Sequence, residues 1–485
     1  MNYSEFLKMG PEIVLVLALV IMFVADFILH KKESKSKSLF SLMVALMVIS
    51  LCGTFCTAYH HPEAVSAFGG LYIATPAVNV MKSILVFGSL IVVLMAQPWV
   101  EKTQRLAGEF YMLLISTLLG MFVMMSSGNF LLFFLGLETA SVPLACMVAF
   151  DKWKQNSAEG AAKYILVATF SSGVMLYGIS FLYAATGTLY FDDVAATISA
   201  SPLTIMGLVF FFSGLGFKIS LVPFHFWTAD TYEGAPTPVT GYLSVISKGA
   251  AAITLCIILM KVFQPLVYYW EYMLYIVIVL SIAVANLFAI RQSELKRFMV
   301  FSSISQAGYI MLAVVGNSQL GIASLTYYVL VYIVANMAVF TVINVVEHRA
   351  QPMANGQSLT AISAYNGFYQ TNPKLSFLMT LALFSLAGIP PFAGMFSKFF
   401  VFMAAAEQGS AAAYFVVFIA LVNTVISLYY YLLIVKAMYI TKTDTPLPTF
   451  KSDLNTKAAL AICTAGVALF GICSCIYEWI AAAGL

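Results

Sequence analysis

The chain has 485 residues, of which 61% are hydrophobic and only 9% charged, with a formal net charge of +3 and a mean hydropathy of +0.93. Soluble domains carry roughly 25% charged residues, so this composition excludes a water-soluble globular protein and places the chain in lipid. No basic cluster is interleaved with aromatic residues, which excludes nucleic acid as a partner.

A helix needs about 20 apolar residues to cross roughly 30 Å of hydrocarbon. Runs of that kind predict an all-α polytopic membrane protein of about fourteen spans, at 10–29, 38–58, 76–96, 108–127, 129–150, 159–186, 203–229, 236–262, 270–290, 298–316, 319–346, 374–405, 411–438 and 458–482. The first run lacks a basic start and a small-residue cleavage site and reads as a retained helix, not a signal peptide. The seven cysteines (52, 56, 146, 256, 463, 473 and 475) all fall in apolar runs, where they read as small packing residues. Neither a disulfide framework nor zinc-ligand spacing is present.

The fourteen-span count distributes Lys and Arg as the positive-inside rule demands. Sixteen of the 24, from Lys31, Lys32 and Arg105 through Lys296 to Lys457, fall on one side; only Lys8 falls on the other, and seven lie within spans. Both termini are then expected outside the cytoplasm. The longer polar loops, such as HKKESKSKS, read as connectors, not as a soluble domain.

Two spans are interrupted in the same way. GFKISLVPFH (216–225) sets Lys218 just before Pro223, and the twelfth span carries Pro390 and Pro391 followed by Lys398. A charge at the bilayer centre costs about 2.5–3.5 kcal/mol on insertion scales, and unwound helix is tolerated there only where it is buried in protein or lines a wet cavity. Paired interruptions of this kind point to two structural repeats with an ion path between them.

Glu138 is the only acid in its span and requires a cationic partner. It is either a structural ion pair holding two helices together or, as we prefer, a titrating pair with Lys218. Desolvation and an approaching carboxylate push a lysine in opposite directions, so a Lys–Glu pair of variable separation would act as a proton gate. The alternative is a lysine fixed by carbonyls freed near Pro223.

Thr240, Ser244 and Lys248 recur at i, i+4 spacing and form a polar stripe suited to a proton wire or to helix packing. Ser302, Gln306 and Tyr309 make a similar face, as do Asn423, Ser427 and Tyr430. Lys163 follows Glu159 by four residues and reads equally as a surface helix pair or as part of the path; His225 reads equally as a relay or as a donor to a freed carbonyl. Lys82, Lys261 and Lys436 sit near span ends, where snorkelling accounts for them. Glu12, Asp26, Glu407 and Glu478 read as solvated ends. A dinucleotide fingerprint, a Walker loop and a cysteine quartet for an iron–sulfur cluster are all missing.

The stretch GLGFKISLVPFHFWTADTYEGAPTPVTGYLSVISK (214–248) resembles the antiporter-like membrane subunits of respiratory complex I and of multi-subunit cation/proton antiporters. GLE (136–138), KYILVATFSSG (163–173), RQSELKRFMVFSSISQAGY (291–309), SLAGIPPFAGMFSKF (385–399) and LYYYL (428–432) support it, so the likeness covers most of 105–440. Within the family, the length leaves no room for the long lateral helix of one member, and Lys398 stands where another usually has glutamate.

The resemblance implies a single membrane domain. Three N-terminal helices (1–100) would precede two inverted five-helix repeats (105–262 and 270–440), with the seventh and twelfth helices broken, and a last helix (458–482) would follow. It implies that Glu138 and Lys218 are the charge-coupled pair, Lys248 the central connection and Lys398 the terminal donor towards the outside, with Lys163 matching a family lysine. Gln306 stands where some relatives have histidine. The implied function is proton translocation in the membrane arm of a bacterial NADH-quinone oxidoreductase, in the inner membrane beside other membrane-arm subunits. NAD, FMN, iron–sulfur clusters and quinone would belong to the wider complex, none to this chain. The rivals are a subunit of a cation/proton antiporter and a structural scaffold.

Overall fold

The computed structural model describes residues 3–29, 35–60, 63–102, 106–349, 358–443 and 446–483. Lys31, Lys32 and Arg105 of the sequence-based topology lie outside them. The N-terminal part comprises α1 (Gly10–Ile28), α2 (Lys35–His60), a hairpin of β1 (Val65–Ala67) and β2 (Tyr72–Ala74), and α3 (Pro76–Lys102). There follow α4 (Ala107–Met125), α5 (Phe130–Val148), α6 (Gln155–Thr186), α7 (Phe191–Thr197), α8 (Pro202–Ile219), α9 (Thr228–Gly234), α10 (Thr237–Tyr242) and α11 (Lys248–Lys261). The rest is α12 (Val267–Ile290), α13 (Leu295–Val315), α14 (Gln319–Arg349), α15 (Phe368–Thr371), α16 (Pro373–Ala387), α17 (Ala393–Ala406), α18 (Ala411–Tyr439), α19 (Leu454–Ile472) and α20 (Ser474–Ala482).

Thirteen helical stretches among the described residues are long and apolar enough to cross a membrane. The expected twelfth span, 374–405, is instead two shorter helices, α16 and α17, neither of which reaches that length alone. The seventh, expected to run to 229, ends at Ile219, so Lys218 occupies its last turn and not its middle. The last, expected as 458–482, starts at Leu454, stops at Ile472 and restarts as α20.

Burial is graded across the bundle. The apolar windows of α13 and α14 are wholly enclosed and that of α3 nearly so, whereas α1, α6 and α18 leave most of theirs uncovered. Phe27, Leu166, Phe170, Phe415 and Val425 point outward from these peripheral helices, an apolar belt suited to hydrocarbon or to an apolar protein neighbour. Of the cysteines, Cys256 and Cys463 pack inside, while Cys52, Cys56, Cys146 and Cys475 are exposed, against the expectation that all are packing residues.

Small residues let α4 and α5 approach closely. A Cβ on Gly120 would meet the Ala140 nitrogen at 2.3 Å, and one on Gly136 would meet the Met124 nitrogen at 2.4 Å. This contact fixes the height of Glu138 on α5. The β1–β2 hairpin (Val65 opposite Ala74) turns through Gly69 and Gly70, both at positive φ. It is held against the end of α4 by Ile73 N–H donating to Ser126 O (2.8 Å) and Gly128 N–H donating to Leu71 O (2.7 Å).

Candidate functional site

Several backbone groups at the break after α8 find hydrogen-bond partners within the protein, while the buried Ser220 hydroxyl has none among the described residues. Ser220 takes a left-handed conformation, and the Leu221 N–H closes the helix by donating to Gly216 O at 2.9 Å. Pro223 has no N–H and cannot continue the helix. The Val222 N–H donates to Ser281 Oγ (2.9 Å), and the Trp227 indole donates to Phe217 O (3.3 Å). These freed backbone groups are satisfied by protein, as a low-dielectric site requires.

Lys218 is 4% exposed. Its Nζ donates to Ser141 Oγ at 2.8 Å and to Tyr164 Oη at 3.2 Å. No ion pair joins it to Glu138, whose Oε1 instead accepts from Ser172 Oγ at 2.5 Å. Glu138 lies within electrostatic reach but not in contact. The last turn of α8 supplies further support, because helix C-terminal carbonyls favour a cation.

Lys248 follows a π-helical turn at 243–247, an irregularity that often marks functional sites. It is 1% exposed; its Nζ donates to Ser303 Oγ at 2.6 Å and lies 5.5 Å from the Tyr232 ring centroid. The predicted stripe is not a wire by direct contact. Thr240 Oγ1 donates to Tyr232 O and Ser244 Oγ to Gly241 O, while Asn336 Nδ2 donates to Ser244 Oγ. His225 is buried within electrostatic reach of Lys248 and beside the Pro223 backbone, and its Nδ1 makes no hydrogen bond among the described residues.

Gln306 joins the centre to the second break. Its Nε2 donates to Leu386 O and to Tyr431 Oη, both at 3.2 Å, and Tyr328 Oη donates to its Oε1. Ser302 Oγ lies 2.5 Å from the same Tyr431 oxygen. Gln306, Tyr328, Ser397 and Lys398 line a small cavity of about 10 Å³, the size of a single water site.

At the second break Gly388 caps α16 at positive φ, with the Ile389 N–H donating to Phe384 O. Two carbonyls at this helix end are taken by side chains: Leu386 O by Gln306, and Ala387 O by Lys398 Nζ at 3.2 Å. Lys398 is 4% exposed and sits 4.8 Å from the Tyr309 ring centroid. Among the described residues no carboxylate pairs with it.

The remaining candidates lie elsewhere. Lys163 is half-buried and bridges Glu159 (2.6 Å) and Asp230 (2.5 Å), in a network that continues through Arg297 to Glu233. Tyr430 Oη donates to Asn286 Oδ1, and Asn286 Nδ2 donates to Asn423 Oδ1, pinning α12 to α18. Lys261 pairs with Asp192 at the surface and Lys436 is exposed, as snorkelling predicts.

Lys82 does not snorkel. It is 0% exposed and its Nζ lies 2.6 Å from Glu12 Oε1, while Tyr72 Oη bonds both (3.0 Å to Glu12 Oε2, 3.2 Å to Lys82). Glu12 is thus buried and not a solvated end. Asp26, also expected in solvent, is partly buried and pairs with Lys35 at 3.0 Å. A second pair was missed as well: Lys296, counted as a loop cation, is buried against Glu347 at 3.0 Å, with Thr237 donating to the same carboxylate. The available signal was topological, since the first and third spans begin on the same side and bring Glu12 and Lys82 to one depth.

A family model described as NADH:quinone oxidoreductase/Mrp antiporter, TM, matches residues 127–427. The chain is 54% identical over 480 residues to the NADH-quinone oxidoreductase subunit N of Phocaeicola vulgatus, covering 99% of this chain and 98% of that protein. It is 49% identical over 484 residues to the subunit N of Azobacteroides pseudotrichonymphae, with 99% and 98% covered. Among solved structures, a chain of respiratory complex I from Thermus thermophilus superposes with a TM-score of 0.81 at 28% identity, covering 98% of this chain and 100% of that one. A chain of the Mrp complex from Dietzia sp. DQ12-45-1b gives 0.84 at 18% identity, covering 100% and 97%, a likeness of fold alone. The chain belongs to the NADH:quinone oxidoreductase/Mrp antiporter transmembrane family, among the NADH-quinone oxidoreductase N subunits.

Proposed function

We propose that this chain is a proton-translocating subunit in the membrane arm of a bacterial NADH-quinone oxidoreductase, coupling quinone reduction elsewhere in the complex to proton movement through Lys218, Lys248 and Lys398. The carrying observation is that these three lysines are buried without a contacting carboxylate among the described residues and are flanked by hydroxyl, amide and carbonyl groups that can pass or hold a proton. Permanent ion pairs would fix their charge; these lysines keep it adjustable.

Glu138 acts on Lys218 at a distance in this reading. Moving Glu138 closer strengthens the electrostatic support for the Lys218 ammonium and loads it with a proton, and withdrawing or neutralising Glu138 removes that support and releases the proton towards His225 and Lys248. Gln306 and its tyrosines carry the connection onward through hydroxyls and the water-sized cavity, and Lys398 releases the proton outward. Lys163, bridging Glu159 and Asp230, stands at the entrance of the path in this reading. Each proton works against about 2.3 kcal/mol per 100 mV, which sets the least barrier the Glu138–Lys218 gate must present to leak.

The four-part division (1–100, then repeats 105–262 and 270–440, then the last helix) and extracytoplasmic termini accompany this reading, supported by the two matched breaks and the Lys/Arg asymmetry. The electron carriers and quinone belong to partner subunits. A tagged chain drawn from native membranes in mild detergent tests the assignment. Co-purification of iron–sulfur and quinone-site subunits supports it; recovery with small antiporter subunits only, and Na⁺- or K⁺-dependent exchange, overturns it.

A further inference from the structure

A groove of about 1160 Å³ opens between the start of α16, residues 449–452 and the first half of α19, larger than the roughly 300–1,000 Å³ of small-molecule pockets. Its loop wall is built and not draped. Asn372 Nδ2 donates to Pro448 O and Asn372 Oδ1 accepts from the Phe450 N–H, both at 2.9 Å, and Thr449 Oγ1 donates to Thr371 O at 3.3 Å.

The groove is charged at one end and apolar at the other. Lys374, Lys451 and Lys457 ring its mouth, all exposed and without an ion pair among the described residues, and no lining residue is acidic. The nearby Asp453 is already engaged by Arg349. Below the mouth, Leu460, Ala461, Thr464 and Ala465 continue one face of α19. From Lys457 to Ala465 that face descends about 12 Å at 1.5 Å per residue, close to half of a hydrocarbon core of roughly 30 Å. The alanines leave a slot, and Leu375 and Leu378 of α16 form its opposite side.

We propose that this groove binds an anionic glycerophospholipid, with its phosphate among the three lysines and one acyl chain along the alanine slot. Three cations around one mouth with no acidic residue in its lining favour an anion there, and a phospholipid supplies that anion and an apolar chain at the observed depth. A cytoplasmic leaflet is itself anionic and attracts juxtamembrane lysines. The inference stands independently of the proton path.

The test uses the intact complex in phosphatidylcholine nanodiscs doped with a phosphatidylglycerol probe carrying a photoreactive acyl chain, and with a matched phosphatidylcholine probe as control. The label should map to 457–465 for the anionic probe and only weakly for the zwitterionic one. Lys451→Gln should reduce it about fivefold, the effect of one interfacial lysine; Lys451→Arg should retain it, and Ala461→Trp should block it by filling the slot. Equal labelling by both probes, label unchanged in Lys451→Gln, or capture of a neighbouring subunit by a photoreactive residue at position 461 would overturn the proposal.

Discussion

Lys218 and Lys398 sit at the two broken helices, equally buried, yet they are held by different chemistry. Lys218 lies in the last turn of its own helix and bonds two side-chain hydroxyls, with Glu138 nearby. Lys398 reaches across the break to the C-terminal end of the preceding helix, where it bonds a backbone carbonyl and faces an aromatic ring. Both exploit the negative end of a helix. Only the first has an acid within reach to change its charge, so the first is suited to gating and the second to a fixed terminal station.

Lys82 sharpens the contrast, because it has equal burial and a direct carboxylate. Removing one member of a buried pair leaves a charge uncompensated and costs about 3–5 kcal/mol. Lys82→Met should therefore give the largest loss of stability, read as a lower unfolding temperature of the detergent-solubilised chain, and Glu12→Gln added to it should recover much of the loss. A Lys82→Met chain as stable as the parent would break the distinction between paired and unpaired lysines. Next in size is Ser141→Ala, which removes an acceptor from Lys218; a hydrogen bond to a charged group contributes about 1.5–3 kcal/mol. Slowed proton transfer with an unchanged subunit composition is expected, and transfer at the parental rate would place the control of Lys218 elsewhere. The same experiment has no counterpart at Lys398, whose acceptor is the backbone of Ala387. The smallest effect is expected for Lys163→Ala, which opens a partly exposed network: folding should barely change, and any effect on transport should fade with added salt.

Most of the spans, both breaks and the lysines beside them were legible in the sequence, since hydropathy, proline chemistry and the cost of a buried charge each leave a local mark; that Lys218 stands out of contact with Glu138 was not. What was not legible depends on distant segments meeting. Hydropathy alone cannot tell a lysine that snorkels from one that turns inward, so Lys82 read like Lys261 until the hairpin brought Tyr72 over it and α1 brought Glu12. Lys296 read as a loop cation because its partner Glu347 closes a different span. The i, i+4 stripe of Thr240, Ser244 and Lys248 presumed a regular helix, and the π-helical turn and the backbone acceptors of both hydroxyls altered it. For Glu138 the sequence supplied the residue but not its partner, because Ser172 of α6 holds the carboxylate out of contact with Lys218.

The central claim is that Lys218 is a working proton station and not a helix fastener. Lys218→Met in the intact complex, reconstituted into sealed vesicles, tests it through the rate of proton translocation measured beside the subunit composition. The account predicts a complete complex whose translocation falls at least about tenfold, equivalent to about 1.4 kcal/mol on the barrier. A complete complex that translocates protons at the parental rate would contradict it.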